Sequence, residues 1–374
     1  MTFLDTYARF PLELVRGEGL RVQDSAGRWY LDALGGIAVL ALGHGHPRVL
    51  AAVHAQVDRL MHTSNLFNVA TQRALADRLT AMYSGGSVFL ANSGVEANEG
   101  AVKLCRKWHF RRGDPRSEII TLDGAFHGRT LLGLAMTPKP AYREGMGPFP
   151  ADVRNVAVEE AAAAVSTRTA AVVVEPIQGE SGCRSLLGFL PALRAACDAN
   201  GALLVYDEVQ CGLGRTGEIE HSPAPDVRTL AKALGGGLPL GAVVAAPRVA
   251  DGFQPGDHGS TFGGNPVACA AGLATLDVIL EQDLAARCRV MGARLQAGLE
   301  AAGARVSGEG LIRAAWTDLP AGAIVAAMRE RGVLVCTAGD KAVRFLPPFL
   351  FGEAEVDETV LAFAAAFVAV RAAA

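Results

Sequence analysis

The chain has 374 residues, half of them hydrophobic and a fifth charged, and 35 basic against 38 acidic residues leave a net charge of -3. That length and balance fit a globular protein with a large domain and a smaller companion. They exclude a polycationic binder of nucleic acid or membrane surface, because no basic tract or stripe is present. No basic-then-apolar leader opens the chain, and the longest late apolar run, 360–370, is too short to span a bilayer. The seven cysteines are scattered, odd in number and never in a C-x-x-C pair. This spacing argues against a disulfide framework or structural zinc and suits a reducing cytoplasm.

Taken in chain order, residues 19–24 and 27–32 read as two strands of a hairpin with Ser25 and Ala26 near its turn. Short apolar runs at 87–91, 118–122, 170–174, 202–206 and 242–246 read as strands, with helix-like stretches such as 97–111 and 190–199 between several of them. Strands alternating with helices predict an α/β fold with a mostly parallel sheet covered on both faces. From Pro266 an Ala/Leu-rich helical stretch runs to about Ala302. Shorter elements follow at 311–316, 323–331, 333–336 and 343–346, and a final helix begins near Asp357. The expected division is a large unit over 41–270 and a small α+β unit over 271–374, the latter joined by residues 1–40.

Ligands of parallel sheets sit beyond the carboxyl ends of the strands, so the polar residues after each run carry the functional reading. Asn92-Ser93-Gly94-Val95-Glu96 turns into a helix whose free N–H groups could hold a phosphate, although an ordinary capped start reads the same way. Gly124-Ala125-Phe126-His127-Gly128-Arg129-Thr130 offers an aromatic that can stack on a ring and an arginine fork for a carboxylate. His127 reads as a hydrogen-bonding residue. Asp207 ends the apolar run before Glu208-Val209-Gln210 and needs a cation or strong donor, which a protonated pyridine nitrogen, a metal or an arginine could supply. Lys232 sits inside an apolar run that ends in three glycines, and desolvation lowers a lysine towards its nucleophilic neutral form. The chain has only five lysines. Lys103, Lys107, Lys139 and Lys341 all have surface or turn settings, which leaves Lys232 as the candidate Schiff-base lysine. Gly212-Leu213-Gly214-Arg215-Thr216-Gly217 fits a dinucleotide fingerprint and raises a nicotinamide-dependent oxidoreductase as an alternative. Two prolines follow where a helix should start, and Asp207 precedes the glycines, so that reading is disfavoured. His44-Gly45-His46 lacks a nearby third ligand and reads as a glycine turn, with no metal expected.

Nine blocks in order resemble the class III aminotransferases of fold type I. They are Leu42–Pro47, Ser64–Leu66, Asn92–Glu99, Phe126–Thr130, Glu175–Glu180, Asp207–Gln210, Lys232–Gly237, Gly259–Pro266 and Arg344–Pro348. The resemblance implies a pyridoxal 5'-phosphate enzyme that works by a ping-pong mechanism. It would transfer the terminal amino group of N2-acetyl-L-ornithine to 2-oxoglutarate in arginine biosynthesis. Ornithine and acetyl-lysine-type donors are the alternatives. Lys232 would carry the cofactor and shuttle the proton, and Asp207 would pair with the pyridine nitrogen. Val209 and Phe126 would sandwich the ring, with Gln210 near its phenolic oxygen and Glu208 in the same cofactor-binding segment. Gly94 and Val95 would hold the phosphate. Thr261, with Ser260, would reach the cofactor of a neighbouring subunit, which implies a homodimer with shared sites. Arg129 would hold the substrate α-carboxylate, and Tyr7 stands where some relatives place a substrate-contacting tyrosine. Glu180 and Arg344 would form a switch. Glu180 would neutralise the arginine for a donor with one carboxylate and release it to take the second carboxylate of glutamate. Val95 departs modestly from the alanine or threonine common at its position.

Overall fold

The computed structural model describes residues 3–373. At its centre lies a seven-stranded sheet. Its spatial order is Ser87–Ala91, Gly241–Ala245, Val227–Leu230, Leu203–Asp207, Thr169–Val174, Glu118–Leu122, Val153–Val156. Gly241–Ala245 runs antiparallel to both its neighbours, and the other pairings are parallel. The expected mostly parallel sheet is therefore present, with strand bounds within a residue of the predicted runs. Its central strands are buried at every position because both faces are covered. Ile119, Val173 and Val205 pack with Ala101, Leu104 and Cys105 of helix Gly94–Arg111. The alternate residues Ile120, Val172 and Leu204 pack with Leu190, Leu193 and Cys197 of helix Leu190–Asn200. The two-residue period of a strand thus sends neighbours in sequence to opposite layers.

The terminal regions come together. Arg21–Asp24 pairs antiparallel with Trp29–Asp32, as the hairpin reading expected, and Trp29–Asp32 pairs in parallel with Val333–Leu334. Asp24 closes the turn by accepting the Ala26 and Arg28 N–H groups and the Tyr30 hydroxyl. A further strand, Leu14–Glu18, extends this sheet at its exposed edge, where no apolar alternation announces it. A second small sheet has the order Arg305–Glu309, Ile312–Trp316, Ala342–Phe345, Cys336–Thr337, so the run expected at 333–336 is divided between two sheets.

One expectation fails clearly. The helical stretch after Pro266 is two helices, Pro266–Glu281 and Leu284–Ala301. They break at Asp283, which takes a left-handed conformation and caps the second helix by accepting the Ala286 N–H. The apolar pattern runs through this break, so only the cap marks it. Leu75, Leu234, Leu276, Phe345 and Phe363 belong to one buried cluster, so the core is continuous from the central sheet to the final helix, Glu353–Ala373.

Candidate active site

Five parallel strands of the central sheet end at one edge, and the segments that follow them line a single cavity of about 470 Å³. Asn92–Val95 follow Ser87–Ala91, and Phe126–Arg129 follow Glu118–Leu122. Glu175 comes directly after Thr169–Val174, Asp207 ends its own strand, and Lys232 follows Val227–Leu230. Residues from 92 to 240 meet here because parallel pairing aligns the strand ends.

Asp207 is 3 % exposed and held by three donors. Its Oδ2 accepts Asn98 Nδ2 and His127 Nδ1, each at 2.7 Å, while Oδ1 accepts the Val209 N–H at 3.1 Å; the Thr229 hydroxyl donates to Asn98 Oδ1 at 2.7 Å and so orients that amide. A carboxylate this deep would be costly without such a shell. His127 Nε2 is buried without a hydrogen-bond partner among the described residues. Burial opposes a charged imidazole at His127, but the hydrogen bond and charge of Asp207, with Glu175 behind, outweigh it and raise its pKa above the ordinary value. Glu175 accepts the Phe126 N–H at 2.8 Å, and burial holds its carboxyl well above the usual carboxylate range. The shell residues Asn98 and Thr229 carry no signature in the sequence. The one clue is a carboxamide four residues into a helix face that must pack on the sheet.

Lys232 forms part of the cavity wall at the exit of Val227–Leu230 and adopts a left-handed φ of 44°. For a residue with a Cβ this costs about 1–3 kcal/mol and turns the chain sharply at the strand end. Burial, reinforced by the Arg344 charge, lowers the Lys232 pKa, and Asp207, Glu175 and Glu180 only partly oppose this.

Arg344 lies in the middle of its small sheet, with a side chain 3 % exposed, and donates to Glu180 Oε1 at 2.7 Å. Its NH1 also lies 3.4 Å from Gln210 Oε1, and its Nε donates to Cys336 Sγ at 3.4 Å. Glu180 and Gln210 both line the cavity. The structure therefore brings the two expected switch residues, 164 positions apart, into one ion pair.

At the opposite wall, Gly94 and Val95 open the 18-residue helix Gly94–Arg111, whose N-cap Ser93 accepts the Glu96 N–H. The first amides of a helix lack intrahelical partners and suit an anion. Val209 packs against this turn so closely that a Cβ on Gly94 would lie 2.6 Å from its Cγ1. Gly128, at φ 124°, is equally constrained, since a Cβ there would lie 2.6 Å from Val95 Cβ.

Four expected residues lie elsewhere. Glu208 does not line the cavity and corrects the expectation of a cofactor contact. It is buried on the other side of the extended segment, bound to His221 at 2.7 Å and Arg228 at 3.1 Å. The strand ends at Asp207 and the chain turns from Val209, which leaves Asp207, Val209 and Gln210 on the cavity and Glu208 off it. Thr261 is exposed and Ser260 half-buried, and neither lines the cavity of its own chain. Ser260 Oγ accepts Asn92 Nδ2 at 3.1 Å, which ties their loop to the rim. Tyr7 is 71 % exposed in a separate groove with Phe10 and Arg329. The glycine pattern at 212–217 forms turns, and its buried Arg215 donates to the Leu311 and Pro347 carbonyls. His44 Nε2 lies 2.8 Å from Asp32 Oδ2.

The cavity thus combines an amine of lowered basicity, a carboxylate fixed by three donors, an aromatic wall and a helix end suited to a phosphate. That donor set fits a phosphorylated pyridine aldehyde, with the carboxylate for the ring nitrogen and the amine for the aldehyde carbon.

Comparison with known proteins agrees. The family described as "Aminotransferase class-III" matches residues 4–367. The chain is 44 % identical over 370 residues to acetylornithine aminotransferase 1 of Bordetella parapertussis, covering 95 % of this chain and 94 % of the relative. Among solved structures, ornithine aminotransferase from Toxoplasma gondii ME49 superposes with a TM-score of 0.95 at 31 % identity, covering 100 % of this chain and 94 % of that one. N-acetylornithine aminotransferase from Stenotrophomonas maltophilia K279a gives 0.85 at 36 % identity, covering 98 % of each chain.

Proposed function

The chain belongs to the class-III aminotransferases, enzymes of fold type I that use pyridoxal phosphate, and on that premise we propose that its amino donor is N2-acetyl-L-ornithine. The terminal amino group passes to 2-oxoglutarate in two half-reactions, giving N-acetylglutamate semialdehyde and glutamate. The observation that carries this reading is the Glu180–Arg344 ion pair in the wall of the cavity that Lys232 and Asp207 share.

Pyridoxal phosphate, when bound, supplies an electron sink for the substrate carbon that bears the amine. The Lys232 amine would hold the cofactor and, once free, would take the proton from the amine-bearing carbon of the substrate and later give it up again. Its lowered basicity keeps a share of the amine neutral and able to act as a base. Asp207, fixed by Asn98 and His127, keeps a proton on the ring nitrogen. Phe126 and Val209 would orient the ring, Gln210 would serve its phenolic oxygen, and the first amides at Gly94 and Val95 would hold the phosphate. Arg129 grips the substrate α-carboxylate. Glu180 covers Arg344 while acetylornithine is bound and yields it to the second carboxylate of glutamate.

The same proposal includes a cytoplasmic homodimer in which Thr261 and Ser260 serve the partner's phosphate. Leu66, Phe67, Phe262 and Met61 are 87 %, 66 %, 60 % and 61 % exposed. Asn65 and Asn265 tie their segments together through the Ser260, Gly263 and Met61 carbonyls, which makes a continuous apolar face that supports burial by a second copy. No helix among the described residues is long and apolar enough to cross a membrane. The proposal also keeps the division into a cofactor-binding unit over 41–270 and a small unit from 1–40 and 271–374, supported by the pairing of Trp29–Asp32 with Val333–Leu334.

Steady-state rates with acetylornithine, ornithine and acetyl-lysine, each with 2-oxoglutarate, test the donor. Acetylornithine is expected to have the highest kcat/KM, and a higher value for ornithine would overturn the assignment. Borohydride should fix the cofactor on the peptide that contains Lys232.

A further inference from the structure

Arg129 lines the cavity, yet no ion pair or hydrogen bond from its guanidinium to another side chain occurs among the described residues. It rests on an aromatic surface. Its Cζ lies 3.6 Å from the ring centroid of Tyr142 and 5.6 Å from that of Phe126. Tyr142 sits on the short helix Pro140–Arg143, outside the cavity lining, and meets Phe126 edge-on at 6.3 Å. Lys139 Nζ donates to the Tyr142 hydroxyl at 3.0 Å and lies 4.4 Å from the same ring centroid.

A guanidinium stacked face-on spends its π surface on the ring and leaves its in-plane N–H groups free. Those N–H groups form the fork that a carboxylate needs. We infer that Tyr142 is a positioning residue for substrate recognition: its ring fixes the plane of Arg129, so that the fork stands ready for a carboxylate before one arrives. Lys139 adds a second cation beside the ring, 4.4 Å from its centroid, which favours anionic over neutral amino donors. Phe126 carries the same wall on towards the reacting end of the cavity. This inference rests on the assignment of Arg129 to the substrate α-carboxylate.

The test compares holoenzyme variants in steady state with acetylornithine at saturating 2-oxoglutarate. Tyr142→Leu keeps apolar bulk but removes the π face, and is expected to raise KM about three- to tenfold, since part of the stacking survives on Phe126. Its kcat should stay within about twofold, as the loss is one of binding rather than chemistry. Tyr142→Phe retains the plate and should restore KM to within about twofold of the parent, a rescue that a hydroxyl-dependent role would not give. Should Tyr142→Leu fail to fold, Tyr142→Met serves in its place. Arg129→Gln separates the two claims. A raised KM for Arg129→Gln with an unchanged KM for Tyr142→Leu overturns the positioning role and leaves the carboxylate assignment standing. An unchanged KM for Arg129→Gln removes the carboxylate assignment, and the inference falls with it.

Discussion

Replacing Glu180 by alanine should shift the enzyme's preference between its two amino donors towards glutamate. In the parent, Arg344 is 3 % exposed and its one charged partner is Glu180 at 2.7 Å, with Gln210 and Cys336 as weak neighbours at 3.4 Å. Removing one member of a fully buried pair costs about 3–5 kcal/mol. The Glu180 side chain is 29 % exposed, so water recovers part of this and about 1–3 kcal/mol remains. In the free variant that water can stay beside Arg344. Acetylornithine would displace it without supplying a second carboxylate, so the cost appears on binding as a roughly five- to 150-fold loss in kcat/KM. Glutamate brings its own carboxylate and no longer competes with Glu180, so its kcat/KM should hold or rise. Single-turnover half-reactions with each donor, followed by the cofactor absorbance, measure the two values separately. If the acetylornithine-to-glutamate ratio is unchanged in Glu180→Ala, the switch does not exist.

Two further outcomes follow from local structure. Burial lowers the Lys232 pKa below the 10.5 of a free lysine, so in the cofactor-free protein the unfolded chain binds more protons than the native one between those two values. Lys232→Met should therefore raise the Tm of the cofactor-free protein at neutral pH, and the advantage should shrink as pH rises towards 10.5; an advantage that grows with pH would contradict the burial argument. Gly128→Ala combines a φ of 124° with a clash against Val95 and should cost about 1–3 kcal/mol in denaturant melts. Adding Val95→Ala should return part of that loss, because it removes the contact with Cγ2 while the 2.6 Å contact with Cβ and the backbone strain remain; no recovery at all would mean that these two alone set the cost.

The sheet was legible in the sequence because short, mainly apolar runs bounded by turn residues read as strands, and the runs at 87–91 and 118–122 match their strands to the residue. Lys232 and Asp207 stood out for a related reason: a charge next to such a run must be accommodated at a strand end. Elements governed by caps or edges were not legible. Asp283 interrupts a helix whose apolar pattern continues unbroken, and Leu14–Glu18 is an exposed edge strand without alternation.

What the sequence alone determined is the set of chemical groups and the strand ends that carry them, because local apolar pattern and the cost of buried charge are properties of short segments. Tertiary structure alone decided which of those groups meet. Asn98 and His127 reach Asp207 from 109 and 80 residues away, and Arg344 finds Glu180 across 164. Glu208, adjacent to Asp207 in sequence, is turned out of the cavity. The physical reason is that parallel pairing aligns strand ends from distant segments, while the turn that follows a strand end sends neighbouring side chains in different directions. Proximity along the chain therefore says little about proximity at the site.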